Sequence, residues 1–209
     1  MWAAAVPVGG LPTLAGLVED VGAAGIATGE SCGSVLLFSR RPLAALDAAC
    51  RIRVTGESAT SVRLLGLLLG RDTAGQAVAD DDEAEAELLI GDAALQRAAR
   101  PHGWPVVVDL AGAWWRRTGM PMVFARWVLR RDAPAPLRRA IVSWLDELAR
   151  RQDELRDRAA ESEARRLGLD AAMLRAYLAG IRLIFGPEEL AGQARFLSAL
   201  AGAPLAQAS

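Results

Sequence analysis

The 209-residue chain is 52% apolar and carries a formal charge of −1. That much apolar chain can bury a core; it excludes a largely disordered polypeptide, and the charge removes the broad basic footprint of a nucleic-acid binder. All 24 basic residues are arginine and asparagine is absent, a GC-rich composition without the lysine and glutamate signature of heat adaptation, which rules out a Schiff-base lysine, a phosphate-loop lysine and a catalytic asparagine.

Short apolar runs alternate with helical patterns along the first two-thirds. Val21–Ala27 and Ser34–Ser39 read as strands divided by a turn-forming run, 28–33. Arg51–Val54 is a third strand, and the spacing predicts a helix over Ala59–Leu69 closed by Gly70. The acidic stretch Gly75–Glu85 reads as a solvated loop without function. Glu87–Ile90 is a buried strand, after which Gly91-Asp92 opens a helix. Val106–Leu110 and Met122–Leu129 are the last strands. Beyond Pro136, Leu137–Leu167, Asp170–Phe185 and Glu188–Ala201 carry apolar residues at three and four spacing and read as helices. The fold class is α/β with a C-terminal helical segment.

Cys32 and Cys50 are too few for a disulfide scaffold; two free thiols in a reducing cytoplasm are expected, with a bridge as the alternative. The single histidine, His102, sits in a Pro- and Gly-bracketed loop and reads as a surface residue, so no histidine-rich metal site forms. Residues 1–18 carry no basic residue and are broken by Pro7, Gly9, Gly10 and Pro12, unlike the charged start of a signal peptide. No uncharged apolar run reaches the roughly 20 residues of a membrane helix. The sequence reads as a cytoplasmic protein with neither membrane nor nucleic-acid partner.

Chemistry concentrates at strand-to-helix turns. Ser58, Thr60 and Ser61 surround the start of the helix after the third strand. A helix start offers free N–H groups and partial positive charge to a carboxylate or phosphate; simple capping by Ser58 explains the same residues. Gly91 and Asp92 form a second such turn, where Asp92 either caps the helix or faces a cleft at the strand ends. Ser34 begins a strand and either points into a crevice or ends the turn. Trp114, Trp115 and Trp127 read as core aromatics, with stacking on a ring as the alternative. No nucleophile with a paired base, dinucleotide-binding glycine motif or phosphate loop is visible.

Four segments in order resemble one family. They are Ser34-Val35-Leu36-Leu37-Phe38-Ser39-Arg40-Arg41-Pro42-Leu43, Glu57-Ser58-Ala59-Thr60-Ser61-Val62-Arg63-Leu64-Leu65, Glu87-Leu88-Leu89-Ile90-Gly91-Asp92-Ala93-Ala94-Leu95, and Asp109-Leu110 through Trp114 with Thr118-Gly119-Met120-Pro121-Met122-Val123-Phe124-Ala125-Arg126-Trp127. Together they are similar to the chorismate dehydratases of the futalosine route to menaquinone; the serine-led strand at 34–38 favours these over the dihydroxynaphthoate synthases of the same pathway.

The resemblance implies a fold like a type II periplasmic binding protein: two α/β lobes joined by crossing strands, here Ser34–Ser39 and Met122–Trp127. Residues 1–35 would be a remnant of lobe one, 36–121 lobe two, and 122–209 the return strand and C-terminal helices. It further implies a cofactor-free, metal-free hydro-lyase that converts chorismate to 3-[(1-carboxyvinyl)oxy]benzoate. Ser34, Ser58, Thr60, Ser61, Gly91 and Asp92 would then bind substrate, with Arg40, Arg41, Arg63 and Arg126 as the arginines open to it. The family's opening strand and its Asn-Thr-Leu-Pro-like turn have no counterpart here, so the chain reads as N-terminally truncated. A non-catalytic carboxylate-binding module or an inactive fragment is the alternative.

Overall fold

The computed structural model describes residues 1–54, 58–71, 84–101 and 103–205. Thr55, Gly56, Glu57, His102 and most of the acidic stretch 75–85 lie outside the described residues.

Two four-stranded sheets organise the chain. The first contains β1 (Ala3–Pro7), β2 (Val18–Thr28), β7 (Met122–Arg130) and β8 (Ile181–Ile184), in the order β1-β7-β2-β8, every neighbouring pair antiparallel. The second contains β3 (Val35–Ser39), β4 (Ile52–Val54), β5 (Ala86–Ile90) and β6 (Val106–Asp109), in the order β4-β5-β3-β6. Here β4 and β5 are parallel, and β3 runs antiparallel to both β5 and β6. Among the described residues six α-helices complete the fold: α1 (Ala59–Leu69), α2 (Asp92–Ala98), α3 (Leu110–Thr118), α4 (Ala135–Leu167), α5 (Ala171–Gly180) and α6 (Pro187–Leu200).

Each sheet is continuous within itself, because strand hydrogen bonds pair β3 only with β5 and β6, and β7 only with β1 and β2. Among the described residues the chain therefore passes from the first sheet to the second between Thr28 and Val35, and back between Asp109 and Met122, a connection that includes α3. Gly33, at φ +69°, supplies the left-handed turn in the first crossing.

Strong local signals end several elements as the sequence predicts. Gly70 takes φ +68° and its N–H donates to the Gly66 and Leu67 carbonyls, so α1 stops where a residue with a Cβ would be strained. In β3 every residue is buried, the four apolar residues Val35–Phe38 and Ser39 alike, as a strand with a partner on each side allows. Trp114 is fully buried and meets Phe196 edge-to-face at 5.9 Å, joining α3 to α6 in the principal core. Trp127 on β7 packs against Trp144 on α4 in the same geometry at 5.0 Å.

Three expectations change. The helical pattern over 170–185 splits: α5 ends at Gly180, and Ile181–Ile184 forms β8 on the open edge of β2, with Thr28 opposite Ile181 and Ala24 opposite Ile184. The unmet backbone groups of that edge outweigh a weak local preference for helix. Leu110 begins α3 in place of ending a strand, because Asp109 caps the helix there. The Gly- and Pro-broken start contains β1 and a 3-10 turn at Val8–Leu14, which the interruptions conceal.

Candidate active site

The registers of the second sheet determine what meets at its edge. Val35 lies opposite Ile90, and Leu36 opposite Asp109, so the start of β3 stands beside the carboxyl ends of β5 and β6. The carboxyl end of parallel β4 shares that edge. Helices α1, α2 and α3 all begin there. Ser58, Gly91-Asp92, Ser34 and Asp109 are consequently arrayed along one edge, in the positions where open α/β sheets gather ligands.

At the start of α1, Ser58 is the N-cap and its oxygen accepts the Ser61 N–H at 3.4 Å. Ser61 donates its own hydroxyl to Ser58 at 3.3 Å. Thr60 is different: its hydroxyl accepts the Gly9 N–H at 2.9 Å and donates to the Phe124 carbonyl at 2.9 Å. Arg63 donates to the Gly9 carbonyl. Side chains on a helix lean toward its N-terminus, which brings Arg63 back over the first turn.

Asp92 does not cap α2. The N-cap is Gly91, at φ +60°, with no side-chain cap, and Asp92 is the first helical residue. Gly91 donates its N–H to the Ser34 carbonyl at 2.7 Å, tying the two turns together. The Asp92 carboxylate pairs with Arg166, at the end of α4, at 2.6 Å. Both side chains are 54% exposed, so water and salt screen the pair. Ser34 accepts a hydrogen bond from the Tyr177 hydroxyl on α5 at 3.0 Å. The C-terminal hairpin of α4 and α5 thus reaches two of the six candidate residues.

Asp109 is the residue the sequence reading passed over. One carboxylate oxygen accepts Gly112 N–H at 2.9 Å, capping α3; the other accepts Cys32 N–H at 2.9 Å and Gly33 N–H at 2.7 Å. An aspartate at a strand end, three residues before a glycine, is the N-cap signal that would have found it.

The four open arginines separate by position. Arg40 and Arg41 follow the far end of β3, six and seven residues of extended chain, roughly 20 Å, beyond Ser34. Arg41 pairs with Glu85 at 3.1 Å, and Arg40 lies over the Trp104 ring at 5.4 Å. Arg126 is buried and committed to Asp20 at 2.8 Å and the Gly22 carbonyl at 3.1 Å. Arg63 alone of the four stands at the start of α1.

A cavity of about 280 Å³ opens beside Ser34, lined by Cys32, Gly33, Leu95, Met173, Tyr177 and Gly180 among others. Burial, with the nearby Asp109 charge, pushes the Cys32 thiol up to about 12. Burial likewise raises the Tyr177 hydroxyl above its ordinary value. Cys32 and Cys50 are both free and buried. Among the described residues no cluster of three or more His, Cys, Asp or Glu side chains is placed to hold a metal. Nor is any helix among them long and apolar enough to cross a membrane.

Solved structures define the fold class. Protein AF1704 from Archaeoglobus fulgidus superposes with a TM-score of 0.70 at 17% identity, covering 94% of this chain and 76% of its own. The periplasmic aliphatic sulphonate binding protein SsuA from Escherichia coli superposes with a TM-score of 0.53 at 16% identity, covering 96% of this chain and 70% of its own. The α/β fold is that of the periplasmic-binding-protein-like class. Residues 4–202 match the menaquinone biosynthesis family, and the chain belongs to it. A chorismate dehydratase from Thermus thermophilus is 38% identical over 196 residues, covering 83% of this chain and 69% of that protein.

Proposed function

We propose that the chain is a chorismate dehydratase of menaquinone biosynthesis, a hydro-lyase acting without a cofactor. A proton leaves the ring carbon that bears the enolpyruvyl ether, the hydroxyl leaves the neighbouring carbon, and one water is lost. The ring becomes aromatic, giving 3-[(1-carboxyvinyl)oxy]benzoate. Family membership and the Thermus relative support this activity.

The observation that carries the reading is the convergence of three helix starts and Ser34 on one sheet edge. Chorismate bears two carboxylates, and a lysine-free chain must meet them with helix starts, hydroxyls and arginine. In this reading Ser58 and Ser61 at the start of α1, with Arg63 beside them, take one carboxylate. Gly91 gives the substrate room, since a Cβ there would meet nothing within 4 Å. Asp92 and Ser34 line the same edge. In this reading the chain before β3 and from β7 onward forms one wall of the cleft, and the residues from β3 to α3 form the other. Closure between the walls excludes water and leaves aromatisation to supply much of the driving force. The two unpaired thiols support a reducing, cytoplasmic setting.

Purified protein incubated with chorismate, followed by chromatography, tests this. Loss of chorismate with matching appearance of the aromatic ether is the expected result. Saturable binding without product would instead make the chain a carboxylate-binding module.

A further inference from the structure

By sequence Thr60 belongs with the hydroxyls that meet a substrate. The structure gives it other work. Its side chain is completely buried, and a threonine hydroxyl has one proton to donate. That proton goes to the Phe124 carbonyl on β7 at 2.9 Å, while the oxygen receives the Gly9 N–H at 2.9 Å. A carboxylate only accepts hydrogen bonds, so Thr60 has none to give it. The same hydroxyl joins three separate pieces: the turn leaving β1, the first turn of α1, and β7. Arg63 adds a second contact through the Gly9 carbonyl. The approach is so close that a Cβ on Gly9 would lie 3.0 Å from both the Ala59 oxygen and the Thr60 Cα.

We infer that Thr60 is a positioning residue: it clamps the start of α1 to Gly9 and Phe124, and so sets the spacing between the two walls of the cleft before substrate arrives. Arg63 reinforces the clamp. The inference rests on the proposed function, in which the start of α1 faces a carboxylate. A displacement of the order of 1 Å at a reacting centre costs about a hundredfold in rate, which gives a clamp of this kind catalytic consequence without any contact to substrate.

The test compares Thr60→Val, which loses both bonds, with Thr60→Ser, which keeps them. Two readouts are taken: KM and kcat for chorismate, and hydrogen exchange of ligand-free protein at Gly9 and residues 59–62. Thr60→Val is expected to lower kcat/KM about tenfold or more, through kcat as well as KM, and to speed exchange at those amides; Thr60→Ser should restore both. A change in KM with wild-type exchange would make Thr60 a substrate contact and overturn the inference. So would faster exchange with wild-type kinetics. Should Thr60→Val fail to fold, Gly9→Ala, whose Cβ would press on Ala59 and Thr60 from the other side of the clamp, carries the same pair of measurements with the same outcomes. If the wild-type chain leaves chorismate unchanged, the proposed function fails, while exchange still reports whether the clamp exists.

Discussion

Gly33 donates its N–H to the Asp109 carboxylate at 2.7 Å, across 76 positions of sequence. The same carboxylate holds Cys32 and caps α3 through Gly112. One side chain therefore pins the crossing turn to the end of the second sheet. Asp109→Ala leaves three N–H groups without this acceptor and is expected to cost about 2–4 kcal/mol. Asp109→Asn, which keeps an acceptor oxygen, should cost less. Denaturant unfolding measures both; an alanine variant within about 0.5 kcal/mol of wild type would contradict the assignment.

Two glycines are fixed by backbone contact. A Cβ at Gly25 would stand 2.1 Å from the Ala125 oxygen, and one at Gly192 would stand 2.2 Å from the Pro121 oxygen. These are strand-on-strand and helix-on-loop contacts that cannot yield without moving an element. Gly25→Ala and Gly192→Ala should each lose about 3 kcal/mol or more, or fail to fold. Gly10→Ala, with nothing within 4 Å, should melt close to wild type.

The buried thiols give a pH signature. With the Cys32 thiol raised from 9.0 to about 12, folding favours its neutral form. Stability from this source is complete below pH 9.0 and is lost as pH rises toward 12. At pH 8 a thiol reagent should label the native protein slowly, and label both cysteines rapidly in denaturant. Fast labelling of folded protein at that pH would refute the burial of Cys32 and Cys50.

Glu189 predicts the acid side. Burial alone would raise its carboxyl, but Arg182 and the Gly186 N–H, donated at 2.7 Å, hold it below 4.5. The resulting stability is present above pH 4.5 and lost as pH falls through the lowered value. The stability difference between wild type and Glu189→Gln should therefore shrink below pH 4.5 in denaturant titrations. A difference independent of pH would mean the carboxylate charge plays no part.

Elements with their own punctuation were legible in the sequence. Ser58 and Gly70 bracket α1, and the run Ser34–Ser39 reads as a strand, which the structure forms over Val35–Ser39. The turns of the candidate site were legible, since Ser34, Ser58 and Gly91-Asp92 each sit where a strand meets a loop or helix. Their partners were not. Asp92 looks like a cap until Arg166, 74 positions away, is seen beside it. Thr60 looks like a ligand hydroxyl until Gly9 and Phe124 consume it.

The strand at Ile181–Ile184 makes the same point for the fold. Its four residues continue a helical pattern, and only the vacant edge of β2 turns them into sheet.

The sequence by itself determined the α/β class, through apolar period and caps, and the family, through four motif segments in order, because both are local properties of the chain. The tertiary structure decided which hydroxyls remain available, which arginine stands at the start of α1 and which strands share a sheet. Those depend on hydrogen-bond partners and strand registers between residues far apart in sequence, and one buried proton on Thr60 can be given only once.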